Sequence, residues 1–302
     1  MVQPAAAQPD RHRGLRHGAL LGTDSAGGGA RRAADPGGLC EAFVRRNKND
    51  ARDAAAICAA LNRPDMRFVA IKSVEQQASR GLERSRDLLV KQRTQLMNCT
   101  RSLLAELGII AAQGRRGFAE LVARVNDGDA AIPPVLLTAL LPLIRQIEGL
   151  HTTIAALEDR IIATARENPV MRRLAGIPGI GGLTAHAIVT AVGDGRQFGS
   201  ARDFAAWCGL TPQEHASAAK RHDKGISRQG DIRLRKLLAL GASTVMRNAR
   251  SRTDRATAWQ RGILARRPVK VAVLAQAAKN ARIAWALLVS GETYRTATPT
   301  AA

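Results

Sequence analysis

"VEQQASRGLERSRDLLVKQRTQLMNCTRSLLAELGI", residues 74–109, carries leucines at 82, 89, 96 and 103 with acidic and basic residues between them. A seven-residue leucine repeat of this length predicts one long amphipathic helix with a seam for another helix. A second helix is expected from about Leu143 to Glu167, where Ile147, Leu150, Ile154, Leu157 and Ile161 alternate steps of three and four. The connection between them contains "AIPPV", and Pro133 and Pro134 break any helix. Two such helices suit an antiparallel pair, a coiled coil between two copies, or packing onto their own domain. The fold class this predicts is mainly α.

Upstream, "NDARDAAAICAALN" is alanine-rich and helix-prone, with Asn47 or Asn49 as N-cap, and "MRFVAIK" is a short β-like run. The first forty residues are dominated by Gly, Ala, Arg and Pro and show neither helical nor strand periodicity. They read as a disordered basic arm, or as GC-rich DNA translated out of frame. Downstream, the texture changes after Asn168-Pro169, which marks the main domain boundary. "LAGIPGIGGLTAHAIVTAVGD", residues 174–194, ends one helix in a glycine hairpin and starts another. Gly179 and Gly181 permit tight backbone geometry, and amides at the next helix N-terminus can hold a phosphate. This is the helix-hairpin-helix pattern of sequence-independent DNA binding; a purely structural helix turn is the other reading.

The formal net charge of +21 points to a polyanionic partner, with nucleic acid ahead of a membrane surface. No apolar run approaches the roughly 20 residues that span a bilayer, and the N-terminus lacks a secretory apolar core. Cys40, Cys58, Cys99 and Cys208 are scattered without zinc spacing and are expected as buried free thiols in a reducing cytoplasm. At 3% aromatics, backbone contact is favoured over base stacking.

Phosphodiester chemistry needs metal to neutralise phosphate charge and a nucleophile delivered in line. Asp50 and Asp53, at i and i+3, share one helix side and suit magnesium, though such pairs also begin ordinary solvated helices. The basic loop "QEHASAAKRHDKGISRQGDIR" holds Ser217 near His215 and Lys220, and carries Arg221, Lys224, Arg228 and Arg233. Lys220 suits stabilisation of a serine alkoxide or of phosphate charge, and the remaining cations suit nucleic-acid contact. On spacing alone Ser217 is an ordinary loop serine, the cations belong to a solvated loop, and His215 and His222 are weak metal candidates.

"FVRRNKNDARDAAAICAALNRPDMRFVAIKSVEQQ", "RDLLVKQRTQLMN", "LAGIPGIG", "DFAAWCGLTP", "ISRQGDIRLRKLL" and "RPVKVAVLAQAAKNARIAWALL" together resemble the DEDD-type insertion-sequence transposases, recombinases guided by a structured bridge RNA. The resemblance runs from about residue 41 to 295. It implies an RNase H-like domain with four magnesium-binding acids, a helical coiled-coil region, and a C-terminal domain with a catalytic serine. Asp50 and Asp53 match the last two acids, and Ser217 matches the serine that attacks DNA phosphate. Implied partners are DNA, a structured guide RNA and further copies of the chain, with no membrane, in a cytoplasmic, nucleoid-associated setting.

The family's first Asp and its Glu belong upstream of residue 41, where no strand-like context exists; Asp10, Asp24 and Asp35 do not supply it. The expected organisation is therefore a disordered or out-of-frame segment at 1–40 and a remnant of the RNase H-like α/β domain at 41–75. A helical coiled-coil region at 76–168 and an all-α C-terminal transposase domain with the helix-hairpin-helix at 169–302 follow. The magnesium site is expected to be incomplete and weakly occupied, with little or no strand transfer in this form. The alternative is a non-catalytic DNA- or RNA-binding remnant. A second departure is Ala218-Ala219 after the serine, which restricts φ where the family has glycine.

Overall fold

The computed structural model describes residues 58–59, 72–217, 220–251 and 257–295, with the backbone alone at 213–217 and 220–224. Two compact units are distinguished, Met1–Ala78 with Arg196–Gly199, and Ser79–Gly195 with Ser200–Ala302. In the first, Ser73 and Gln76 cap each other: Ser73 N–H donates to Gln76 Oε1 at 2.9 Å and Gln76 N–H to Ser73 Oγ at 3.2 Å. This reciprocal box satisfies two amides that a helix start leaves unpaired. Asp50, Asp53, the 1–40 segment and nearly all of the β-like run lie outside the described residues, as does Cys40.

Helix α1 (Val74–Ala105) runs unbroken for 32 residues, as the leucine repeat predicts. It closes with Gly108 at φ +73°, where Ile109 N–H reaches Leu104 O and Gly108 N–H reaches Ala105 O. That paired closure needs a left-handed residue, so glycine stands there. The segment expected as a mere connection contains a helix of its own, α2 (Arg115–Asn126). Its buried residues Gly117, Phe118, Leu121 and Val125 form a helical stripe. The second long helix, α3 (Pro134–Glu167), starts nine residues before the expected Leu143. Pro133 is its N-cap and Pro134 its first residue, a position that needs no N–H, so the prolines open the helix. Leu104, Ile109, Leu121, Val125, Ile132, Leu140 and Ile144 form one core cluster where α1, α2 and α3 meet.

Short α4 (Pro169–Ala175) is capped by Asn168, whose side chain accepts from Val170 N and Met171 N. Apolar α5 (Gly182–Val192) follows and packs on α3 and α4. Helix α6 (Ala201–Trp207), capped by Ser200, leads into an antiparallel hairpin of β1 (Pro212–Ser217) and β2 (Lys220–Ile226). Helices α7 (Ile232–Ser251), α8 (Ala258–Arg266) and α9 (Val269–Ser290) complete the described chain. Helix α7 buries Leu234, Leu238, Ala242, Met246 and Ala249 and packs on α9, whose buried face is largely alanine. Small side chains on α9 let the two axes approach closely. Among the described residues the chain is mainly helical, as expected, with the hairpin as its departure from an all-α C-terminal region.

Cys208 is buried and Cys99 exposed, so burial of the thiols does not hold throughout. Burial, with Asp231 adding to it and Arg235 opposing, pushes the Cys208 thiol far above its usual range and keeps it protonated. No helix among the described residues is long and apolar enough to cross a membrane.

Candidate nucleic-acid interface and serine hairpin

The hairpin stands where the sequence predicts a loop. Its register pairs Pro212 with Ile226, Glu214 with Asp223, His215 with His222, Ala216 with Arg221 and Ser217 with Lys220, with an irregularity between Pro212 and Glu214. Ser217 and Lys220 thus form the last described pair before the turn, and Ala218 and Ala219 lie outside the described residues. Lys224 sits opposite that irregularity, further down β2. The register makes Lys220 the cross-strand neighbour of Ser217, an adjacency that chain spacing alone leaves open.

The base of the hairpin is stapled from both sides. Ser227 N–H donates to Thr211 O at 2.9 Å and Arg228 N–H to Gly209 O at 3.3 Å. Arg235 Nη1, on α7, donates to Cys208 O at 3.1 Å and to Gln229 O at 2.9 Å, tying the incoming and outgoing strands together. Two glycines make this closure possible. Gly230, at φ +79°, has Trp207 O only 1.8 Å from where a Cβ would stand. Gly209, at φ +69°, has Gln229 O at 2.1 Å from its own would-be Cβ. Arg228 also holds φ +56° and is exposed, a conformation unusual outside glycine. The motifs "WCGLTP" and "SRQGD" therefore serve as the two feet of one hairpin.

Directly after the hairpin, Asp231 caps α7: its Oδ1 accepts from Arg233 N and Leu234 N at 3.0 Å each. Its Oδ2 takes Arg80 Nη2 of α1 at 3.1 Å. Beside it lies a charged cluster that the sequence does not announce. Glu83 of α1 is 3% exposed and His186 of α5 is 1% exposed, values low enough that each must find its partner inside the protein. His186 Nδ1–H donates to Glu83 Oε1 at 2.6 Å, and Arg233 Nη1 donates to Glu83 Oε2 at 2.8 Å. Arg233 Nε lies 3.1 Å from Asp87 Oδ2, an ion pair whose N–H is not aligned as a hydrogen bond. Arg86 joins Asp87 at 3.0 Å and binds Glu158 of α3. Burial holds the Arg233 guanidinium below its ordinary pKa, opposed by the charges of Glu83, Asp87 and Asp231. The expectation that Arg233 reaches nucleic acid is thereby corrected: the side chain is committed to α1.

In the glycine turn between α4 and α5, the two predicted residues differ. Gly179, at φ +88°, is packed against α7: a Cβ there would stand 2.9 Å from Gly241 O and 2.9 Å from Val245 Cγ2. Gly241 is equally constrained, with Gly179 O at 1.7 Å from its would-be Cβ. Asn280 of α9 donates to Pro178 O at 2.9 Å while accepting from Gln276, so the turn is clamped from a third helix. Gly181, by contrast, is exposed, is the N-cap of α5 without a side-chain cap, and has nothing within 4 Å of a would-be Cβ. Gly182, the first residue of α5, already packs on α3, with Ile162 Cγ1 3.5 Å from its would-be Cβ.

The candidate metal ligands Asp50 and Asp53 lie outside the described residues. Among the described residues no group of three or more His, Cys, Asp or Glu side chains is placed to hold a metal ion. Arg228 is exposed, while of Lys220, Arg221 and Lys224 only the strand positions are known.

Comparison with known proteins finds two family matches. Residues 171–257 match the family described as "Transposase IS116/IS110/IS902 family", and residues 37–109 match the transposase family DEDD_Tnp_IS110. The chain is 42% identical over 257 residues to the "Probable family 20 transposase" of Pseudomonas aeruginosa, covering 84% of this chain and 75% of that protein. It is 39% identical to the transposase for insertion sequence element IS1111A of Coxiella burnetii, covering 84% and 70%. The transposase for element IS1328 of Yersinia enterocolitica is 36% identical, covering 83% and 75%.

Proposed function

Because the chain belongs to the IS116/IS110/IS902 transposase family, we propose that it binds and recombines the DNA of an insertion sequence, with Ser217 as nucleophile. The observation that carries this reading is the placement of Ser217 beside Lys220 at the end of a hairpin whose base is fastened to α6 and α7. A reactive group needs a fixed support, and a hairpin closed by Arg235 and two obligatory glycines supplies one.

The chemistry balances without an outside reagent. Serine Oγ forms a bond to phosphorus, a bridging P–O bond of the DNA breaks, and the departing DNA oxygen takes up a proton as the serine loses one. The phosphoserine link is then reversed by a hydroxyl of another DNA strand. Lys220 and Arg228 hold phosphate charge near the hairpin, and Arg221 and Lys224 extend the basic strand. Asp50 and Asp53 would hold magnesium, which supplies charge neutralisation at the attacked phosphate. A guide RNA selects the DNA, and copies associate through the leucine seam of α1. Half-buried Leu82, Leu89 and Leu96 support that association, while Leu103 packs on the core within the chain.

The turn before α5 acts as a helix-hairpin-helix phosphate contact through Gly181 and the amides after it, while Gly179 shapes the turn. Gly181→Asp tests this. A carboxylate at the N-cap suits the helix and is expected to leave stability unchanged or slightly raised. Facing a phosphate it repels, so duplex affinity is expected to drop about tenfold at low salt. Unchanged affinity in a filter-binding titration would remove Gly181 from the interface.

The reading as a whole is tested by incubating the full chain, with and without magnesium and the element's RNA, on duplex carrying the element's ends. Magnesium-dependent strand breakage is the expected result. Salt-sensitive binding with no breakage under any of these conditions supports the second reading, a non-catalytic nucleic-acid binder, which the basic strand β2 and the net charge would equally serve.

A further inference from the structure

Between α7 and α9, away from the hairpin, lies a groove of about 510 Å³. Met246, Val273 and Leu274 contribute apolar walls, and Arg247, Arg250 and Lys270 are exposed along it. No acidic residue is among the described residues that line it. Among the described residues none of the three cations is ion-paired, whereas Arg80 and Arg86 of α1 and Arg233 of α7 are engaged. Leaving three like charges unpaired along one groove has an electrostatic cost, and an anionic occupant relieves it.

We propose that this groove seats the sugar-phosphate backbone of duplex DNA flanking the bond under attack. The inference rests on the reading of the chain as a DNA-acting transposase and adds a second contact surface to it. Arg247 and Arg250 are one helical turn apart on α7 and so present on one side. From the start of α7, at the foot of the hairpin, to Arg247 is a rise of about 22 Å along the helix. A duplex gains about 3.4 Å per base pair, so DNA held at the hairpin and lying along α7 meets the groove roughly one half-turn to two-thirds of a turn away. Duplex DNA, being stiff over that span, can engage both places at once. Lys270 at the start of α9 closes the opposite wall. Contacts of this kind are to phosphate and carry no sequence information, which suits a chain whose 3% aromatic content offers little for base stacking.

The test is a salt series of duplex affinity for the full chain, for the triple variant Arg247→Gln/Arg250→Gln/Lys270→Gln, and for Lys91→Gln/Arg116→Gln/Arg166→Gln. The last set removes the same charge from exposed positions outside the groove. The groove variant is expected to bind duplex about a hundredfold more weakly at low salt, with the slope of log affinity against log salt reduced by about 3. The control set is expected to lose little by comparison. Equal losses in the two variants overturn the proposal while leaving the transposase reading intact. So does a loss confined to single-stranded RNA, which would assign the groove to RNA. A parent chain that fails to bind duplex at any salt overturns both.

Discussion

Ser217→Ala is expected to bind DNA as the parent does and to lose strand breakage by at least about a thousandfold. Removing one oxygen near a hairpin end takes away the group that attacks phosphorus and disturbs little else. The supports of the hairpin, the Arg235 bonds and the close approach at Gly209 and Gly230, lie at its base and are untouched. Unfolding free energy should therefore change by no more than about 0.5 kcal/mol. Gel-resolved cleavage of end-labelled duplex, paired with denaturant unfolding, separates the two effects. A serine that merely shapes the turn predicts the reverse: altered stability with breakage retained.

The second large effect is on folding. Glu83→Ala is expected to lower the unfolding free energy by about 3 kcal/mol, the lower end of the range for breaking a buried ion pair. Glu83 accepts from His186 and from Arg233 while 3% exposed, so its loss leaves the buried His186 N–H and a half-buried guanidinium without their acceptor. Arg233 keeps its ion pair to Asp87, which limits the damage. Glu83→Gln keeps one acceptor oxygen for Arg233 and fills the space, while its amide N–H can meet only a His186 tautomer that accepts at Nδ1, so it should cost less than alanine. Because Arg233 opens α7 immediately after the hairpin, the alanine variant should also loosen strand breakage beyond its effect on stability. Urea unfolding with cleavage measured well below the midpoint checks both; a loss under about 1 kcal/mol would mean that the cluster relaxes and is not a brace.

Much of the helical frame was legible in the residues, and the physical reason is period. The leucine repeat of α1 and the three-four steps of α3 are long enough for the apolar face to declare itself. Proline is ambiguous at one point: Pro133-Pro134 reads in sequence as a break between elements, whereas proline in the first turn begins a helix. Helix α2 was missed because it is 12 residues long and lies beside those prolines, although Phe118, Leu121 and Val125 have helical spacing.

The hairpin was illegible for a different reason. "QEHAS" and "KRHDKGI" contain few β-branched residues, and no apolar alternation marks a core-facing side. Ala218-Ala219 is not a turn signal either. What holds the strands is their stapled base, in which the decisive contacts join residues on α6, the loop after β2 and α7. The Glu83 cluster is beyond any local pattern: its partners lie 103 and 150 positions away in the chain. For the same reason Arg233 looked like one more cation in a basic loop. Gly179 illustrates the remaining ambiguity, since a glycine needed for close packing against Gly241 reads in sequence just like one needed to approach a phosphate.

The most direct measurement is to quench the reaction of full chain, RNA and internally labelled duplex in denaturant, digest protein and DNA, and map any phosphorylated peptide by mass spectrometry. The account predicts a nucleotide linked through phosphate to Ser217, dependent on magnesium and absent from Ser217→Ala. Breakage of DNA with no protein-linked phosphate, or with the link at another residue, contradicts it.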